Sequence, residues 1–99
     1  MDGSESDERA HRVLMLTLVN RKGLHARAAA RFVQTVEAHK AGVSVIKDGQ
    51  RVDGRSIMGL LMLGAPCGST IEVHVAGDEA DNAAQALTEL VGDGFGERD

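Results

Sequence analysis

A histidine and an arginine separated by one residue, in the run Gly23-Leu24-His25-Ala26-Arg27, are the side chains of this sequence best suited to chemistry. An imidazole titrates close to neutral pH, so one of its ring nitrogens is available as an unprotonated nucleophile. A guanidinium two positions on offers a planar fork of donors that matches a phosphoryl group. The run stands where an apolar segment ends and an alanine-rich segment begins. If that segment is a helix, the backbone N–H groups of its first turn lack partners and its macrodipole is positive there, so the start is a natural anion hole. Nucleophile, anion hole and counter-charge together point to chemistry on phosphate. The plain alternative is an exposed histidine that only caps a helix.

A second helix start carries Ser56, followed by Ile57-Met58-Gly59-Leu60-Leu61-Met62-Leu63, with Gly64 and Pro66 beyond. Serine in that place is an N-cap worth about 1 kcal/mol. It is also a place where phosphorylation is electrostatically welcome, adding roughly two negative charges to the surface. The segment is apolar almost all round, so one side of it must face outward. Ile57 and Met58 are the candidates for that side, which would form a patch of the kind that docks a protein; burial in the core is the alternative. His11, His39 and His74 show no metal-ligand spacing with a supporting cysteine or carboxylate pair, so neither a metal nor a cofactor is expected. There is no phosphate-binding glycine loop of the nucleotide type and no Ser-His-Asp arrangement.

The elements that must position these residues follow from periodicity. Val13 to Val19 is apolar apart from Thr17, which suits a central strand or one buried on both faces. Ala29, Phe32, Val33 and Val36 form the stripe of an amphipathic helix running from Ala26 to about Lys40, with Gly42 as its stop. Asp48-Gly49 is a hairpin turn between Val43–Lys47 and Gln50–Val52. The run from Ser69 to Val75 alternates, Ile71, Val73 and Val75 on one side and Thr70, Glu72 and His74 on the other, as in a strand with one wet face. Asp78 can cap a last helix striped by Ala80, Ala83, Ala84, Leu87, Leu90 and Val91 and closed by Gly92. The order β-α-β-β-α-β-α favours a mainly antiparallel sheet with helices on one face and the other face open to solvent.

The 99 residues suffice for one domain. Residues 1–12, with Asp2, Glu5, Asp7 and Glu8, read as a disordered acidic extension, residues 13–92 as the domain and residues 93–99 as a flexible tail. A net charge of -4 argues against nucleic acid as a partner, although Arg21, Lys22, Arg27 and Arg31 surround the candidate site. The single cysteine, Cys67, excludes an internal disulfide and fits a reducing cytosol; it reads as a loop thiol between Pro66 and Gly68. Neither a membrane-spanning apolar run nor a signal peptide is present in the sequence, so a soluble cytoplasmic protein is expected.

Gly23-Leu24-His25-Ala26-Arg27-Ala28-Ala29, together with Arg55-Ser56-Ile57-Met58-Gly59-Leu60-Leu61-Met62-Leu63-Gly64, resembles the HPr family, the histidine-containing phosphocarriers of the phosphoenolpyruvate-dependent phosphotransferase system. The likeness runs from about Val13 to Val91 and takes in both motifs, their separation and the element order. It implies an α+β fold, an HPr-like open-faced β-sandwich with a four-stranded antiparallel sheet and three helices on one face. It implies that His25 accepts a phosphoryl group from enzyme I, on the ring nitrogen nearer the backbone, and passes it to an enzyme II A-type domain. Arg27 would stabilise the phosphoryl group, Ser56 would be the regulatory serine of an HPr kinase/phosphorylase, and Ile57, Met58, Ala26 and Arg31 would meet partners. Such a protein is a stoichiometric carrier, not an enzyme, and is expected to be monomeric. A mainly regulatory module of nitrogen or carbon signalling, as in the nitrogen-related branch, is the alternative. Ala28 stands where many members have proline, which bears on the rigidity of the first helical turn.

Overall fold

The alternation around Ile71, Val73 and Val75 sets the architecture, because it gives one strand a dry face and a wet one. In a computed structural model, which describes residues 10–97, the elements are β1 (Ala10–Thr17), α1 (Ala26–Glu37), β2 (Gly42–Lys47), β3 (Gln50–Asp53), α2 (Ile57–Met62), β4 (Thr70–Gly77) and α3 (Ala80–Gly92). A short 3-10 turn follows at Gly94–Gly96. The strands lie in the order β1-β4-β2-β3, each antiparallel to its neighbours. Leu16 pairs with Ile71, Val43 with Val75, and Val45 with both Val73 and Val52, so the inward residues fall in register across the sheet.

All three helices cover that inward face and share one core with it. Helix α1 buries Ala28, Ala29, Phe32, Val33 and Val36, and α3 buries Ala80, Ala83, Ala84, Leu87 and Val91. The short α2 contributes Leu60. The opposite face of the sheet carries Val13, Met15, Ser44, Glu72 and His74 and is covered by no described element. This is the open-faced α+β sandwich expected from the element order. The hairpin turn is also as expected: Asp48 and Gly49 both have positive φ, +52° and +80°, the geometry that matches the twist of the flanking strands.

The place of one strand and three element boundaries differ from the expectation. Strand β1 lies at a sheet edge, pairing among the described residues with β4 alone, and Val13 and Met15 are more than half exposed. An unbroken apolar run does not tell burial on two faces from burial on one, and among the described residues nothing packs over the second face. The strand begins at Ala10, so Ala10–Arg12 belong to the sheet; residues 1–9 of the expected acidic extension lie outside the described residues. Helix α1 ends at Glu37, where His39 donates through Nδ1–H to the Thr35 carbonyl (2.9 Å), and Gly42 opens β2 instead of closing the helix. Glu79, not Asp78, is the residue before α3, and its backbone N–H bonds to the Lys40 carbonyl (3.0 Å), tying the helix start to the α1–β2 connection.

The largest correction is at the carboxyl end. Phe95 is fully buried, Gly94 is buried, and the chain turns back through positive φ at Gly94, Phe95 and Gly96. In place of a flexible tail from Asp93, residues 93–97 pack onto the domain, because a phenylalanine sealed in the core holds the turn that carries it. Residues 98–99 lie outside the described residues.

Candidate functional site

The connection from β1 to α1 is built on one glycine. Gly23 has φ +62°, and a Cβ there would stand 2.4 Å from the Ala65 carbonyl oxygen and 2.8 Å from Pro66 Cα. The next residue, Leu24, is buried and donates its N–H to that same carbonyl (2.9 Å). The turn is closed by Gly23 N–H to the Asn20 carbonyl (3.1 Å) and by Asn20 Nδ2 to the Gly23 carbonyl (2.7 Å). The chain therefore enters α1 in one place and direction, with His25 as the extended residue just before it (φ -81°, ψ -178°).

His25 does not cap the helix with its ring. Its carbonyl accepts the first intrahelical bond, from Ala29 N–H (2.8 Å), so the N–H groups of Ala26, Arg27 and Ala28 are the donors a helix start leaves over. No acidic residue lies in that first turn to neutralise the positive end of the dipole. Alanine at position 28 keeps a backbone donor that proline would lack. Arg27 is exposed and, among the described residues, makes no side-chain hydrogen bond or ion pair.

The imidazole is engaged from the other side. Its Nε2 contacts Glu97 Oε2, and the second carboxylate oxygen accepts from Asn20 Nδ2 (3.0 Å). Among the described residues Nδ1 has no partner. Burial would raise the Glu97 carboxyl, and it is the largest single influence on it. The hydrogen bonds from Asn20 and His25 and the charges of His25 and Lys22 together outweigh it, so the group lies below its ordinary 4.5. Glu97 is held over the site by its turn: Phe95 is buried, and Arg31 donates from Nη1 to the Phe95 carbonyl. Glu97 and Asn20 were absent from the residues singled out in sequence. Glu97 lies 72 positions from His25 in a segment that reads as a tail, and the buried Phe95 just before it is the only signal that this segment is anchored.

Ser56 caps α2 as expected, its Oγ accepting from Gly59 N–H (2.9 Å). Ile57 and Met58 are exposed, and so is Met62, which the sequence reading did not single out (41%, 68% and 65%). Ala26 is exposed, whereas Arg31 is half-buried and its guanidinium serves the Phe95 contact. The two helix starts share no hydrogen bond among the described residues; α1 and α2 pack against each other. Cys67 is exposed and unpaired, and no metal-holding cluster of His, Cys, Asp and Glu occurs among the described residues. No helix of the described residues is long and apolar enough to cross a membrane.

A family model described as the PTS HPr component phosphorylation site matches residues 14–93. The chain belongs to the HPr family. It is 45% identical over 82 residues to the phosphocarrier protein HPr of Neisseria meningitidis serogroup A, a match that covers 83% of this chain and 92% of that protein. It is 41% identical over 85 residues to the HPr of Pseudomonas aeruginosa, covering 85% and 94%. Among solved structures, HPr-C-His from Thermoanaerobacter tengcongensis superposes with a TM-score of 0.84 at 37% identity, covering 88% of this chain and 98% of that one. Membership of the HPr family makes this chain a phosphocarrier of the phosphotransferase system.

Proposed function

We propose that the chain carries phosphate on Nδ1 of His25, taking it from phosphorylated enzyme I and passing it to an enzyme II A-type domain. One observation supports this above the others: among the described residues the ring has Nε2 engaged and Nδ1 without a partner, beside a helix start whose first N–H groups lack intrahelical partners. In the step, the Nδ1 lone pair bonds to phosphorus as the bond from phosphorus to the donor breaks. The phosphoryl oxygens meet the N–H groups of α1 and the guanidinium of Arg27. Transfer onward is the same exchange in reverse, with the acceptor's nucleophile displacing imidazole. The chain is a stoichiometric cytoplasmic intermediate, acting as a monomer, whose carrier unit extends through Glu97. Incubation with phosphoenolpyruvate and enzyme I should label the protein, and His25→Ala should abolish the label; a variant labelled as strongly as the parent would refute the assignment.

Ser56 supports a regulatory reading alongside transport. Its Oγ already faces a backbone donor at a helix start, so a phosphate there is stabilised locally while it alters the charge of a surface bearing Ile57, Met58 and Met62. HPr kinase/phosphorylase with ATP is expected to modify this serine. Peptide mass spectrometry that located the phosphate on another residue would remove this reading.

A further inference from the structure

Given the phosphocarrier reading above, on which this inference rests, we infer that Glu97 is a positioning residue: held by Asn20, it fixes the His25 ring with its proton on Nε2 and leaves Nδ1 free for phosphorus. The chemistry of the contact supports the first half. Two donors converge on one carboxylate, Asn20 Nδ2 on Oε1 and the His25 ring on Oε2. An ionised carboxylate only accepts, so Nε2 must donate, and the neutral ring then has its lone pair on Nδ1. Asn20 is buried, with Nδ2 committed to Gly23 and Glu97; turning the amide over would set its oxygen against two acceptors. Glu97 cannot swing away cheaply, because Phe95 is in the core and Arg31 grips the turn.

The same arrangement simplifies proton movement during transfer. With the proton on Nε2 before, during and after the reaction, phosphorus arrives at Nδ1 and leaves it without any proton being lost or gained by the ring. Phosphorylation at Nδ1 leaves a positively charged ring that still bears Nε2–H, and the Glu97 carboxylate faces that charge. Lys22 is the other charged group acting on Glu97, and it favours the ionised carboxyl. A ring with its proton on Nδ1 would have to lose it before reacting.

The test uses the full chain and its Glu97→Gln, Glu97→Ala and Asn20→Ala variants. Nitrogen-15 NMR of the unphosphorylated protein at a pH where the ring is neutral reports which nitrogen bears hydrogen, and backbone amide spectra report whether each variant is folded. The parent is expected to show the Nε2–H form alone, and the variants a mixture. Glutamine should not restore the parent form, because in the carboxylate's place its amide sets an oxygen opposite one donor and an NH2 group opposite the other. Phosphoryl transfer from phosphorylated enzyme I should slow by about tenfold or more in the Glu97 variants. A labelled parent beside folded Glu97 variants with unchanged tautomer and rate overturns the positioning role and leaves the carrier reading intact. A parent that takes no label overturns the carrier reading, and this inference with it.

Discussion

At the scale of the residue, Gly23 and Glu97 do different work on the same histidine. Gly23 sets where His25 stands, since only a residue without Cβ tolerates both its positive φ and the carbonyl of Ala65. Gly23→Ala is expected to cost about 2–3 kcal/mol in urea denaturation, or to displace the Ala65–Pro66 segment if that segment yields. Glu97 acts through ionisation. Its carboxyl lies below its ordinary 4.5, so it contributes stability that is present above that value and is lost as pH falls toward and through the folded-state value. The parent should therefore lose more unfolding free energy than Glu97→Gln on acidification below about pH 4.5, as read from denaturation curves at a series of pH values. Equal acid sensitivity of the two proteins would show that the carboxylate is not held as described.

At the scale of the element, two short pieces depend on single side chains. Helix α2 spans only Ile57–Met62, too short to persist by itself, and its first turn is held by Ser56 Oγ. Ser56→Ala should lower stability by about 1 kcal/mol in chemical denaturation while leaving labelling of His25 in place. The carboxyl-terminal turn depends on Phe95 in the same way. Phe95→Ala should cost about 3–5 kcal/mol and should also free Glu97 from the ring, so the His25 signals in an NMR spectrum should move. The cap was readable from Ser56 and the apolar run behind it. The anchored turn was not, because one phenylalanine among glycines and charges has no period.

At the scale of the molecule, the core and the exposed apolar patch on α2 are separable. Leu60 faces the core while Ile57, Met58 and Met62 face out, so charge can be introduced on the outer side without opening a cavity. Met58→Glu should change unfolding free energy by no more than about 0.5 kcal/mol. It should weaken transfer to an A-type acceptor, measured as initial rate against acceptor concentration, because a buried interface carboxylate without a partner is unfavourable. Unaltered kinetics would place the docking surface elsewhere.

The element order, the alternating β4, the hairpin at Asp48-Gly49, the two helix starts and the placing of His25 and Arg27 at the first of them could all be read from the sequence. Each is local: a period, a cap or a turn lies within a dozen residues and draws on propensities that act over that range. Tertiary structure alone decided that β1 is an edge strand, since an apolar run is compatible with one covered face or two. It alone closed the site, bringing Glu97 to the ring across 72 positions of sequence, with Asn20 on its other oxygen, by burying Phe95. The candidate nucleophile was therefore legible in the chain, while the carboxylate that meets its ring depends on a contact of long sequence separation that only the packed core creates.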